Sequence, residues 1–359
     1  MRIVFVTQAI DADHPVLGHT LGLVEALATR SEEVVVLCGS IGRHELPANV
    51  RIRSFEAPSR FQRGWAFARA LAGELTRGPR PDAIVSHMVP LFLVLAAPLA
   101  KLRRVRLVLW YTHWRATRML RLATVVADAV LSADVQSFPL SSHKVRGIGH
   151  AIDGQRFTPS ADPTSDDGTL QLLALGRYAS VKGYETVLEA VRLALEHGVD
   201  ATLEIRGPEL TPAESGYRAD LGRIVLETPA LQGSVTFAAP VSHEQVPALL
   251  RGFDALVNAT QPTSSETFDK VLLEGAACGL PVVASNRTFA EALEGLPVEL
   301  YFPAGDAPAL AGVLEALAAA SPERRRAAGA ELRRRVLAVH SVDSWADAVI
   351  AAARGDRPE

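Results

Sequence analysis

A chain of 359 residues with 48% hydrophobic content is too long for one ordinary core and long enough for two domains. Its net charge of -3 excludes a general attraction to nucleic acid, though not a local basic surface. Only two cysteines occur, Cys38 and Cys278, far apart and each in an apolar run, so a disulfide framework is excluded and a cytoplasmic protein with reduced core thiols is expected.

The opening run Met1-Arg-Ile-Val-Phe-Val-Thr carries one basic side chain and is too short for a secretory signal, so it reads as a first strand near Ile3 to Val6. A loop from Thr7 to Thr20, holding Asp11, Asp13, Gly18 and His19, leads into a helix near Thr20 to Ala28. Short β-branched runs then alternate with helical patterns, the mark of a parallel sheet covered on both faces. Further strands are predicted near Val34 to Leu37, Val50 to Phe55, Ala83 to Ser86, Leu107 to Tyr111, Ala129 to Leu131 and Val145 to Ile148. Helices are predicted near Trp65 to Leu75, Leu91 to Leu102 and Arg118 to Ala127. His87 ends one strand and Trp110-Tyr111-Thr112-His113 ends the next; a lone strand-end histidine serves structure as readily as chemistry. The apolar run from Val89 to Ala100 falls short of the ~20 residues that span a bilayer. Lys101, Arg103, Arg104, Arg106, Arg115, Arg118 and Arg121 follow without an intervening acid, interleaved with Trp110, Trp114 and Met119. That stretch reads either as a solvated helix face or as a peripheral contact to an anionic membrane or a lipid-linked acceptor.

Pro159 to Gly168 combines proline, serine, acid and glycine and reads as a linker, so domains are expected at 1–160 and 161–340. A second α/β alternation follows. Strands are predicted at Leu170 to Leu175, Thr202 to Ile205, Val235 to Phe237, Ala255 to Val257 and Val282 to Ala284. Helices are predicted near Tyr184 to Glu196, Tyr217 to Leu226 and His243 to Leu250, the last with a Ser242–Gln245 capping box. Residues 341–359 hold an amphipathic helix with Trp345, too apolar for a free tail and expected to dock on the first domain. Two doubly wound domains of this kind present the carboxyl ends of their strands to a shared cleft, where ligands bind.

The candidate chemistry lies after strands. Gly176-Arg177-Tyr178-Ala-Ser-Val-Lys182-Gly183 puts two cations at one strand end, where glycine admits a ligand to the backbone. Gln261 to Ala284 reads as a polar loop, a short helix, a Gly-Leu-Pro stop and a buried strand. Glu266 lies in the entering loop, and Glu274 lies inside the helix among residues too small and apolar for an exposed face, so its carboxylate needs a partner. Two carboxylates flanking a helix start suit a ligand with hydroxyls at one end and phosphate at the other. Arg177 and Lys182 together could neutralise a diphosphate leaving group.

Gly176-Arg177-x4-Lys182-Gly183, the Glu266–Glu274 spacing, the run Leu273 to Ala284 and Gly149-His-Ala-Ile-Asp153-x3-Phe157 together resemble family 4 of the GT-B retaining glycosyltransferases. The resemblance implies two Rossmann-like α/β domains and metal-independent sugar transfer from a nucleotide-diphospho sugar, with no cofactor besides that co-substrate. It assigns Arg177 and Lys182 to the donor diphosphate, Glu274 to the ribose hydroxyls and Glu266 to the donor sugar. Thr267, Phe268 and Asp269 match the loop that meets sugar and phosphate. Asp269-Lys270 departs from the common glycine-apolar pair, and Lys270 offers a third cation. His113 matches the histidine beside the donor sugar; His87 is similar but a lesser match, and His87 and His19 are the acceptor-side candidates. Gly18, followed by His19, matches the family's glycine-rich loop near the donor phosphate and the acceptor. Asp11-Ala-Asp13 has the form of the metal motif of the other glycosyltransferase fold but follows a first strand, and no zinc spacing occurs. A solute-binding protein, a GT-B epimerase or phosphorylase, and a non-catalytic nucleotide-sugar-binding partner are the alternative readings.

Overall fold

The computed structural model describes residues 1–14, 17–113, 115–160, 168–261 and 269–356. Trp114 and residues 161–167 of the expected linker lie outside them. The chain divides into two compact units: Met1–Asp153 with Val339–Glu359, and Gly154–Ala338.

The first unit is built on a seven-stranded sheet in which every pair is parallel. Its strands are β1 (Arg2–Ile10), β2 (Glu33–Ile41), β3 (Val50–Ser54), β4 (Ala83–His87), β5 (Arg106–Trp110), β6 (Ala129–Ser132) and β7 (Val145–Gly147), in the order β3-β2-β1-β4-β5-β6-β7. Ile3, Val4, Phe5 and Val6 are wholly buried, as a central strand covered on both faces requires. One face is covered by α2 (Arg60–Thr76), α3 (Pro90–Leu102) and α4 (Arg118–Val126), through Phe67, Leu93 and Leu120. The other is covered by α1 (Thr20–Ala28) and by the terminal helix, Val342–Arg354, through Leu23, Leu27 and Trp345. That helix is part of the first unit's core: Trp345 is fully buried edge-on to Trp110, and Arg30 holds Asp343 at 3.0 Å and Asp347 at 2.6 Å.

The second unit carries a five-stranded parallel sheet: β8 (Leu170–Leu175), β9 (Ala201–Arg206), β10 (Val235–Ala238), β11 (Ala255–Asn258) and β12 (Val282–Ala284), in the order β10-β9-β8-β11-β12. Its helices are α5 (Tyr184–Glu196), α6 (Pro212–Glu227), α7 (Val246–Leu250), α8 (Lys270–Ala277), α9 (Arg287–Leu293), α10 (Ala307–Ala319) and α11 (Pro322–His340); α12 is the terminal helix.

The helix starts differ from expectation where caps decide them. Helix α2 begins five residues before Trp65 because Ser59 and Gln62 form a reciprocal capping box. Helix α6 begins at Pro212, with the Thr211 side chain accepting from Glu214 N. Helix α7 begins only at Val246; Gln245 accepts from Ser242 N and Oγ, but the turn before it is not α-helical. The stretch from Lys101 to Arg121 that reads as one basic run in sequence is divided in space, as Lys101 pairs with Asp128 at 2.5 Å and Arg106 donates to the Ala352 carbonyl at 3.2 Å.

Candidate functional site

In a doubly wound sheet the strands on either side of the order reversal leave a crevice at their carboxyl ends. In the second unit those strands are β8 and β11, and the candidate residues gather there. The β8 loop is drawn tight. A Cβ on Gly207 would stand 1.8 Å from the Gly176 carbonyl oxygen, and Tyr184 donates its hydroxyl to that carbonyl at 2.9 Å. Gly183 then turns the chain into α5 at φ +63, where a Cβ would meet the Ala259 carbonyl oxygen at 2.4 Å. Gln261 N donates to the Val181 carbonyl at 2.7 Å, tying the loop after β11 to the loop after β8.

Lys182 reaches from this loop to Asp269, the residue immediately before α8, and ion-pairs with it. The same carboxylate oxygen accepts from Asn258 Nδ2 at 2.9 Å and Thr260 Oγ1 at 3.0 Å, both at the end of β11. Burial alone would raise the Asp269 pKa; the Lys182 charge and the three hydrogen bonds outweigh it and hold the carboxyl below its ordinary value. Arg177 pairs with Glu214 of α6 at 2.9 Å, and Glu214 also accepts from Leu210 N at 2.5 Å. Both strand-end cations are therefore already matched to carboxylates, a feature the sequence alone did not disclose.

One turn into α8, Glu274 is buried and lies 3.3 Å from His243 Nε2, which supplies the partner that its surroundings demand. Phe157 packs edge-on against His243, and Arg156 donates to the His243 carbonyl at 2.8 Å. Lys270 is half-buried near Glu274 and Arg156. Burial pushes its pKa down, and the Glu274 charge opposes that shift. Glu266, Thr267 and Phe268 lie outside the described residues. Glu214, His243, Asn258, Thr260 and Arg156 were not singled out in sequence. Only Glu214 carried a usable signal there, the Thr-x-x-Glu pattern of a helix start.

In the first unit the order reverses between β1 and β4. His87, at the end of β4, is 2% exposed, shares a 3.0 Å hydrogen bond with Thr7 Oγ1 and stacks on Phe5. His19 stands just before α1, edge-on to His87 at 6.1 Å. Gly18 sits where a Cβ would come 2.9 Å from the Ala12 carbonyl oxygen. His113 is exposed in the loop beyond β5, and its Nδ1 accepts from Arg115 N at 3.1 Å. Asp13 is held by Arg43 at 2.7 Å, and Asp11 accepts from Asp13 N and Arg43 N, so both carboxylates shape the β1 loop. Among the described residues no group of three or more His, Cys, Asp or Glu is placed to hold a metal ion. A pocket of ≈ 480 Å³ opens beside the ends of β1 and β2 and the first turns of α2 and α3. It is lined by Gln8, His14, Ser40, Arg60, Arg63 and Phe92, among others. Neither His19 nor His87 lines it.

Residues 169–320 match the family model of the glycosyl transferases group 1. A D-inositol 3-phosphate glycosyltransferase of Pseudarthrobacter chlorophenolicus is 30% identical over 141 residues, which are 38% of this chain and 32% of that protein. A phosphatidyl-myo-inositol mannosyltransferase of Mycobacterium leprae is 34% identical over 168 residues, 46% of this chain and 42% of that protein. The chain thus spans between 32% and 48% of the length of the curated relatives it matches. The fold is shared throughout. HepE of Anabaena, solved in complex with UDP, superposes with a TM-score of 0.75 at 17% identity, over 98% of this chain and 99% of that one. Sucrose-phosphate synthase of Thermosynechococcus elongatus does so with a TM-score of 0.67 at 19% identity, over 99% and 98%. Likeness at that identity establishes the architecture alone.

Proposed function

With residues 169–320 a group 1 glycosyl transferase domain in a GT-B fold, we propose that the chain moves a sugar from a nucleotide-diphospho sugar to an acceptor held by the first unit. The observation that carries this reading is the joining of Lys182, from the loop after β8, to Asp269 at the start of α8. Arg177, Lys270 and Glu274 stand around the same strand ends.

This arrangement suits a diphosphate. Asp269 holds Lys182 at one site instead of leaving a four-carbon stem to search, so little reorganisation is needed when phosphate charge develops. Arg177, half exposed on its Glu214 anchor, keeps guanidinium N–H groups to donate. Glu274, oriented by His243, accepts from a diol such as a ribose. On this reading the bond between the anomeric carbon and the phosphate oxygen breaks, and the nucleoside diphosphate leaves with its charge on Arg177, Lys182 and Lys270. The departing phosphate then takes the acceptor's hydroxyl proton as the acceptor oxygen bonds to the anomeric carbon on the same face, which gives retention. His113 and Glu266 are assigned to the donor sugar from the resemblance. The ≈ 480 Å³ pocket of the first unit, with Arg60, Arg63 and His14 in its wall, is the proposed acceptor site.

Incubation with a panel of nucleotide sugars, with and without sugar alcohols and their phosphates, tests the reading by release of nucleoside diphosphate. Release that depends on acceptor supports transfer. Binding without release by wild type would mark a nucleotide-sugar-binding partner instead.

A further inference from the structure

The described surface of the first unit is uneven in charge and in apolar exposure. Between Ala57 and Ala127 the acids are Glu74 and Asp82, against twelve lysines and arginines, in a chain whose net charge is -3. Glu74 is buried and ion-paired with Arg2, Arg51 and Arg53, so it projects no negative charge from α2. Helices α2, α3 and α4 cover one sheet face as successive crossovers between parallel strands. Right-handed crossovers make them run alongside one another, with all three starting at the carboxyl ends of the strands.

Large apolar side chains protrude from those first turns. Phe61 is 88% exposed and Trp65, one turn further along α2, is 70% exposed. Leu91 and Leu95 protrude from α3, and Leu122 from α4. Leu95 lies against the α2 backbone, 4.0 Å from where a Gly64 Cβ would stand, so the α2 and α3 groups are neighbours. Arg60 and Arg63 flank Phe61, while Arg118 and Arg121 lie in the first turn of α4, all of them exposed. Among the described residues these three helices carry no exposed carboxylate, and Glu56, just before α2, lies in the pocket wall. Protruding aromatic and aliphatic groups with exposed arginines beside them on α2 and α4 complement a lipid interface with anionic headgroups. A nucleic acid would meet the cations but would leave the leucines in water.

We propose that the first turns of α2, α3 and α4 dock on an anionic bilayer, with Phe61 and Trp65 entering the headgroup layer and the surrounding arginines on lipid phosphates. Arg60, Arg63, Leu91 and Phe92 belong to both this zone and the wall of the ≈ 480 Å³ pocket, so the pocket opens at the docked surface. An acceptor headgroup can then enter while its acyl chains stay in the membrane. The docking itself does not depend on the transferase reading.

Flotation with vesicles of phosphatidylcholine containing about 30 mol% phosphatidylglycerol, against phosphatidylcholine alone, reads the proposal directly. The wild type should partition at least about tenfold more strongly to the anionic vesicles, and high salt should release it. Phe61→Ser/Trp65→Ser should lower partitioning about tenfold or more, and each of Arg118→Gln and Arg121→Gln about fivefold. Tryptophan emission should shift to the blue on anionic vesicles, and Trp65→Phe should abolish most of that shift. Circular dichroism melts check that the variants fold, as these side chains lie outside the core. The proposal is overturned if wild type ignores anionic vesicles, if Phe61→Ser/Trp65→Ser binds as wild type does, or if wild type ignores vesicles but self-associates in their absence and that variant abolishes the self-association. The last outcome would make the occupant a second copy. Vesicle binding is read without turnover, so failure of the transfer reaction and failure of docking are separate results.

Discussion

Replacing Asp269 by Asn should unsettle the second unit more than any ordinary surface change, because the carboxylate joins three segments. It takes the Lys182 ammonium from the β8 loop and hydrogen bonds from Asn258 and Thr260 at the end of β11. The side chains of Lys182 and Asp269 are only 15% and 20% exposed, so the variant leaves a largely buried cation without its counter-charge. Breaking such a pair from one side costs about 3–5 kcal/mol. For a unit of this size that corresponds to a fall of roughly 6–20 °C in its melting transition by calorimetry. Lys182→Met/Asp269→Asn removes both charges while the amide can still serve Asn258 and Thr260, and should recover at least half of that loss. Activity should separate from stability. Lys182→Ala and the double variant should both release nucleoside diphosphate ~10² to 10³ more slowly, since neither can meet phosphate charge. Because the Asp269 pKa is lowered in the fold, its contribution is complete above the unfolded value of 3.8. It is lost as pH falls through the lower folded value, so wild type and Asp269→Asn should converge in strong acid. If Asp269→Asn melts within a degree or two of wild type at neutral pH, the pair does not hold these segments together.

Three further outcomes follow from the geometry. Gly183→Ala should destabilise the second unit by more than about 1 kcal/mol and slow nucleotide release, because φ of +63 disfavours a side chain and the Ala259 carbonyl oxygen stands 2.4 Å from the added carbon. Trp345→Ala should cost the first unit about 3–5 kcal/mol, seen as an earlier melting transition for that unit, by emptying a fully buried site against Trp110. Burial pushes the His340 imidazole down to about 4, with Asp134 opposing, while the unfolded chain takes up that proton near 6.5. The unfolded state binds more protons between those values, so stability should fall by on the order of 3 kcal/mol as pH drops through them. His340→Gln should flatten that part of the curve in urea melts.

The twelve strands were legible because most are short apolar runs, many of them rich in β-branched residues, and most are buried on both faces. The helices from Arg287 to His340 were not assigned in sequence. Their alanine-rich and arginine-rich composition lacks a sharp apolar period, and their starts depend on single caps such as Asn286 and Asp306. At the candidate site, Arg177, Lys182 and Glu274 could be picked out because each follows a strand or sits in an unusual helix. Their partners could not. Glu214 lies 37 residues from Arg177 and His243 lies 31 from Glu274, and no local pattern encodes such pairings. Asp269, read in sequence as part of the donor loop and as a departure from a common motif, proves to be the carboxylate that holds Lys182.

The sharpest check on the proposed donor site is a crystal structure of the protein soaked with a nucleoside diphosphate. Diphosphate oxygens should lie within about 3 Å of Lys182 Nζ and the Arg177 guanidinium, with a ribose hydroxyl on the Glu274 carboxylate. A nucleotide bound elsewhere, with Lys182 and Glu274 untouched, would contradict the assignment.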